Sequence, residues 1–88
     1  MDKTSIEAFF DRAASSWDDE MIKDDLIIKT ILDNAQVKEG DTVLDVACGT
    51  GVMIPYYLER NANPTGIDLS KKMVEIAKKK FNNVEFIW

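Results

Sequence analysis

Apolar positions follow a helical period over residues 4–35, and from residue 42 onward short apolar runs alternate with further helical stretches. Thr4-Ser5-Ile6-Glu7 has the spacing of a capping box, with Thr4 as cap and Glu7 reaching back. It predicts a helix to about Ala14 with Phe9, Phe10 and Ala13 on its apolar side, loosened at Ser15-Ser16 before Trp17-Asp18. A second helix is expected from about Asp19 to Ala35, because Met21, Asp25, Ile28, Leu32 and Ala35 fall at helical spacing, joined by Ile27 and Ile31. Lys38-Glu39-Gly40-Asp41 reads as a turn.

Thr42 to Ala47 is then a short, nearly continuous apolar run, which suits a parallel strand buried on both faces. Cys48-Gly49-Thr50-Gly51 makes a tight loop, and Val52 to Arg60 a helix with Pro55 in its first turn, where a missing N–H costs nothing. Asn61 to Pro64 ends that helix, Thr65 to Asp68 is a second strand, and Ser70 caps a helix from Lys71 to Phe81 whose inner stripe is Met73, Ala77 and Phe81. After an Asn82-Asn83 turn, Val84 to Trp88 begins a third strand. Strand–helix–strand–helix–strand with short connections is the α/β, doubly wound alternation. Right-handed crossovers order its parallel strands 3-2-1, preceded here by two helices. The expected division is a helical segment over residues 1–36 and the α/β portion over 37–88.

Composition narrows the function. In 88 residues, 45% hydrophobic and 31% charged, there is material for one small globular domain. Eleven Lys and Arg against 16 Asp and Glu give a net charge of −5, which disfavours a phosphate-tracking nucleic-acid binder. The local exception, Lys71, Lys72, Lys78, Lys79 and Lys80, reads as a solvated helix face. No apolar run approaches the roughly 20 residues that span a bilayer. Met1-Asp2-Lys3-Thr4 has no signal-peptide layout, so a cytoplasmic location is expected. A single cysteine, Cys48, rules out an intramolecular disulfide, and the absence of histidine removes the commonest metal ligand and proton shuttle.

The informative segment is Asp45-Val46-Ala47-Cys48-Gly49-Thr50-Gly51. Gly49 and Gly51 allow a sharp turn and close ligand approach, and the following helix offers unpaired N–H groups. A dinucleotide fingerprint has a third glycine three positions later, where this chain has Ile54. Asp45 lies in an otherwise apolar strand, where an unpaired carboxylate is costly; a ligand amino group, bound water or backbone donors offset that cost, or Asp45 ties down the glycine loop. Asp68 ends the second strand 17 residues after Gly51, at the same sheet edge. Its carboxylate is placed either to accept from both hydroxyls of a ribose or to start the next helix.

Val43 to Gly51 (VLDVACGTG) and Gly66 to Ser70 (GIDLS) closely resemble the first two motifs of class I S-adenosylmethionine-dependent methyltransferases. Phe10 to Asp18 (FDRAASSWD) resembles the segment before the fold in the small-molecule branch that includes ubiquinone/menaquinone-biosynthesis methyltransferases. The resemblance implies a Rossmann-like fold and S-adenosylmethionine as cofactor, with S-adenosylhomocysteine as product. It implies that Ala47, Cys48, Gly49, Thr50 and Gly51 wrap the methionine part while Asp45 helps hold it. Asp68 would bind the ribose, and Leu69 would lie against the adenine. Met73 is either an adenine neighbour or a core residue. Trp17 is either part of an N-terminal lid or a packing anchor. Ala47 stands where the family often has glycine.

The family's fold has about seven strands in the order 3-2-1-4-5-7-6, so residues 37–88 are expected to form only the first part of the cofactor-binding domain, with 1–36 as its lid. The acceptor is expected to be a small molecule, with neither nucleic acid nor membrane as partner. Catalytic residues cannot be assigned: no side chain offers a base in an acceptor pocket, and Cys48 reads as a packing residue. An exposed strand 1 edge and bare helix faces lead to an expectation of self-association. A rival function is a non-catalytic module acting by dimerisation or partner binding; an NAD-type site is opposed by Ile54 and Asp45.

Overall fold

The computed structural model describes residues 2–20 and 24–88. Helix α1 (Lys3–Ala13) leads through a 3₁₀ turn (Ala14–Ser16) into the short α2 (Trp17–Glu20), and α3 spans Asp25–Asn34. Then come β1 (Thr42–Val46), α4 (Ile54–Glu59), β2 (Asn63–Ile67), α5 (Lys71–Lys80) and β3 (Glu85–Ile87). The strands form one parallel sheet with β2 between β1 and β3.

Local chemistry moves several boundaries. The cap of α1 is Asp2, not Thr4: its carboxylate accepts the Ser5 N–H at 2.8 Å. The expected helix from Asp19 to Ala35 is interrupted at Asp24, which is extended and uses its carboxylate to accept the Ile27 N–H and start α3. Met21, assigned above to the apolar face, lies outside the described residues. Of that face, Leu32 is buried and Ile28 half-buried, while Ile27 and Ile31 stay exposed. Asp25 receives the Tyr56 hydroxyl hydrogen, which explains a carboxylate on this side of the helix.

Strand β2 begins two residues earlier than its glycine and β-branched residues suggest, taking in Pro64. Asn63 N–H donates to the Asp41 carbonyl at 2.7 Å, and Cys48 N–H to the Ile67 carbonyl at 3.0 Å. Odd-numbered β2 residues therefore bond toward β1, and the donor missing at Pro64 falls on the other side. β3 pairs only from Thr65 onward, so no ladder bond is lost there.

Register decides what each face meets. Val43 pairs with Pro64, and Asp45 with Gly66, which pairs in turn with Phe86. That face is covered by the core, formed by Leu32, Ile54, Tyr56, Tyr57, Val74, Ala77 and Phe86. The opposite face leaves Leu44 59% and Val46 67% exposed, together with Ile87. β1 is thus not buried on both faces among the described residues. Two right-handed crossovers stepping the same way across a sheet lay both helices on one side. That topology accounts for the bare face.

Gly66 is where sheet and loop approach most closely. A Cβ there would lie 2.7 Å from Phe86 Cδ1 and 2.8 Å from Cys48 Sγ. Gly66→Ala is expected to destabilise the fold by about 1–3 kcal/mol through overpacking. Phe86→Leu in the same chain should recover part of that loss. Urea denaturation reads both, and an unchanged midpoint in Gly66→Ala would refute the close-packing account.

Candidate functional site

The C-terminal ends of all three strands meet at one edge, where open parallel sheets bind their ligands. After β1 the chain turns back through left-handed backbone at Ala47 (φ 59°), Gly49 (φ 59°) and Gly51 (φ 85°). Ala47 thus occupies a conformation that favours glycine, at a cost of about 1–2 kcal/mol. The turn closes with Gly51 N–H on the Cys48 carbonyl and Ile54 N–H on the Gly51 carbonyl. Asp68, just past β2, fixes it from the side. One carboxylate oxygen accepts the Gly49 N–H at 2.8 Å, and the other accepts the Ser70 N–H, also at 2.8 Å. Ser70 in turn caps α5 by accepting the Met73 N–H. Asp68 therefore holds the loop and prepares the helix start at once. Each of its oxygens retains room for a further donor.

Around these groups lies a cavity of about 480 Å³. Ala47 and Gly49 form its loop wall, Asp68 and Leu69 its strand-end wall, Met73 lines it from α5, and Ile6, Phe10 and Trp17 close it from the N-terminal segment. A second hollow of about 420 Å³ shares Ala47, Asp68 and Leu69 and continues to Ile87 and Trp88. Six of the residues singled out from sequence thus surround one space: Trp17, Ala47, Gly49, Asp68, Leu69 and Met73. Cys48, Thr50 and Gly51 are buried and do not line it. Gly51 has a packing reason instead, since a Cβ there would meet Phe81 Cε2 at 2.9 Å. Ile54, at the third-glycine position of a dinucleotide fingerprint, is fully buried in the core.

The electrostatics are acidic and partly unsatisfied. Asp45 falls on the covered face of β1, and its Oδ2 is buried without a hydrogen-bond partner. Desolvation, with the charge of Asp68 second, raises its carboxyl above the ordinary value. Burial, then the charges of Asp45 and Asp68, push the Cys48 thiol up to about 12, which suits a packing residue and not a nucleophile. Burial and Asp45 also raise the Tyr57 hydroxyl. Among the described residues no group of three His, Cys, Asp or Glu side chains could hold a metal ion. No helix there is long and apolar enough to cross a membrane.

Sequence reasoning assigned no site role to Ile6, Phe10, Asp11, Asp18 or Trp88. Phe10 and Trp17 meet edge to face at 5.9 Å between centroids. Asp11 and Asp18 bond to Ser70 and Thr50. Trp88 donates its indole N–H to the Leu69 carbonyl at 2.8 Å, under Lys71. The signal for the first four was the position of Phe10 and Trp17 within one amphipathic segment; their partners are some 30 to 60 residues away and leave no local trace.

The raised Asp45 carboxyl has a stability consequence with a definite sign. Folding disfavours its ionised form, so the handicap is absent below the ordinary pKa of 3.8 and grows as pH rises toward the folded-state value. Asp45→Asn is expected to melt higher than the parent near neutral pH, with the gap closing as pH falls toward 3.8 and gone below it. Paired thermal melts across that range test it; a gap independent of pH would show that the carboxylate's charge is not the cause.

Relatives place this architecture. Residues 43–88 match the family described as Methyltransferase domain. The malonyl-[acyl-carrier protein] O-methyltransferase of Acetivibrio thermocellus is 35% identical over 92 residues, covering 98% of this chain and 32% of that protein. The ubiquinone/menaquinone biosynthesis C-methyltransferase UbiE of Campylobacter jejuni is 45% identical over 58 residues, covering 58% of this chain and 25% of that one. Among solved structures, a SAM-dependent methyltransferase from Geobacter sulfurreducens in complex with S-adenosyl-L-homocysteine superposes with a TM-score of 0.66 at 21% identity, over 88% of this chain and 34% of that one. The chain spans about a third of the length of the full-length relatives that match nearly all of it. The family match takes in all three strands, the glycine loop and Asp68, and on that ground the chain belongs to the methyltransferase domain family.

Proposed function

We propose that the cavity at the sheet edge binds S-adenosylmethionine and that the chain serves methyl transfer to a small-molecule acceptor. The observation that carries this reading is the convergence of the glycine loop, the Asp68 carboxylate and an apolar wall of Leu69, Met73, Phe10 and Trp17 on one space. A ligand with a charged amino acid end, a ribose and a flat apolar base needs such a combination. Asp45, whose Oδ2 is buried without a partner, lines neither hollow and so stands behind the loop wall in this reading.

In this reading Ala47 and Gly49 face the methionine part while Cys48, Thr50, Gly51 and Asp45 support that loop from behind, Asp68 holds the ribose hydroxyls, and Leu69 and Met73 the adenine side. Trp17 covers the ligand from the segment over residues 1–36, and residues 37–88 form the binding domain. The bound cofactor supplies an electrophilic methyl group, and the chain's own contribution is orientation and exclusion of water. The sheet is read as the 3-2-1 half of a doubly wound sheet, with the Leu44, Val46 and Ile87 face suited to a second helical layer. In the 88-residue chain alone, that face favours self-association, which sedimentation at low micromolar concentration would detect; a clean monomer would remove this part of the reading.

Isothermal titration with S-adenosylhomocysteine, with NAD as control, tests the cofactor assignment. Asp68→Ala is expected to weaken binding tenfold or more, since each hydrogen bond to a charged acceptor is worth about 1.5–3 kcal/mol. Parent-like affinity in that variant would take Asp68 out of the site, and a chain that binds NAD in preference would overturn the cofactor.

A further inference from the structure

The N-terminal segment carries one dipeptide pattern twice, an aromatic followed by aspartate, at Phe10-Asp11 and Trp17-Asp18. The repeat distance of seven residues is about two helical turns, and Ala13, Ala14 and Trp17 all keep right-handed helical backbone between and at the dipeptides. Both pairs therefore present to the same side. The aromatics touch each other and line the cavity. The acids reach past it. Asp11 Oδ1 accepts the Ser70 hydroxyl at 2.5 Å and the Lys72 N–H at 3.3 Å. Asp18 Oδ1 accepts the Thr50 hydroxyl at 2.5 Å, while its Oδ2 takes Lys80 Nζ at 2.8 Å.

The receiving residues give these contacts their weight. Ser70 and Thr50 are polar residues with no exposed surface, so water does not replace a lost partner. Ser70 follows Asp68 and caps α5; Thr50 lies between the two loop glycines. Each acid thus grips one of the two chain segments that Asp68 ties together.

We propose that Asp11 and Asp18 are positioning residues that latch the Phe10–Trp17 wall over the cavity, so that ligand affinity depends on the docking of the N-terminal segment. The ligand half of this inference rests on the reading of the cavity as the S-adenosylmethionine site. The docking half rests only on the contacts above. With both latches closed, contacts within the chain hold the wall at the cavity, which lowers the cost of ordering it on binding.

The experiment uses the full 88-residue chain: emission is read with Trp88→Phe in the background, so that it reports Trp17 alone, and binding is measured with Trp88 intact, because its indole holds the Leu69 carbonyl. Asp18→Ala and Thr50→Val should each move Trp17 emission to longer wavelength and weaken S-adenosylhomocysteine binding about tenfold. The double variant should be no worse than Asp18→Ala alone, because that change already breaks the Thr50 bond along with the Lys80 pair. Thr50→Ser, which keeps the hydroxyl, should restore the parent emission. If Thr50→Val fails to fold by circular dichroism, Asp18→Ala and Asp11→Ala, which remove the acceptor, carry the same emission readout. Parent emission and affinity in Asp18→Ala, or full additivity in the double variant, overturns the latch. If the parent itself binds no S-adenosylhomocysteine, the cofactor reading fails, and the emission arm alone decides whether the latch stands.

Discussion

The Asp68 carboxylate is shared between two stretches of backbone, the glycine loop and the start of α5. By accepting the Gly49 N–H it sets how far the glycine loop stands from the end of β2, and by accepting the Ser70 N–H it sets where α5 begins. The cavity exists between those two fixed segments. Its loop wall depends on left-handed backbone at Ala47 and Gly49, which aims the Gly49 N–H at the acid. Its α5 wall depends on Ser70, whose hydroxyl caps the helix and places Met73 inward. A group that organises the site, with acceptor capacity left over, combines support and recognition in one side chain.

A second constraint is the single covered face of the sheet. Because the two crossovers step in one direction, the core among the described residues forms against the face of Val43, Pro64, Gly66 and Phe86. Strand parity then carries Asp45 into that core beside Gly66, while its apolar neighbours Leu44 and Val46 face outward. The result inverts what hydrophobicity alone would arrange: a carboxylate goes in and two aliphatic side chains go out. Such a conflict between local preference and global fold is expected where a site is built.

Much of the architecture was legible because it is local. The period change after residue 35, the loop glycines, Pro55 at the start of α4 and Ser70 as cap of α5 each act within a few residues, and each element formed close to its expected place. The misplacements have local causes too, but weaker ones. Asp2 and Thr4 both fit a helix start, and only the realised geometry of the Asp2 carboxylate on the Ser5 N–H separates them. Asp24 has the same role before α3, hidden in a run of charged and apolar residues that keeps helical periodicity.

The sequence by itself determined the order of elements, the turn at the glycine loop and the position of Asp68 at a strand end, since these follow from backbone freedom and side-chain period over short spans. Only the tertiary structure decided which carboxylates are satisfied and by whom. Asp68 found Gly49 across the sheet edge, Asp11 and Asp18 found hydroxyls on segments far along the chain, and Asp45 found none for one of its oxygens. The reason is that a carboxylate's partner depends on how strands pair and helices pack, and those contacts join residues whose spacing in sequence carries no period.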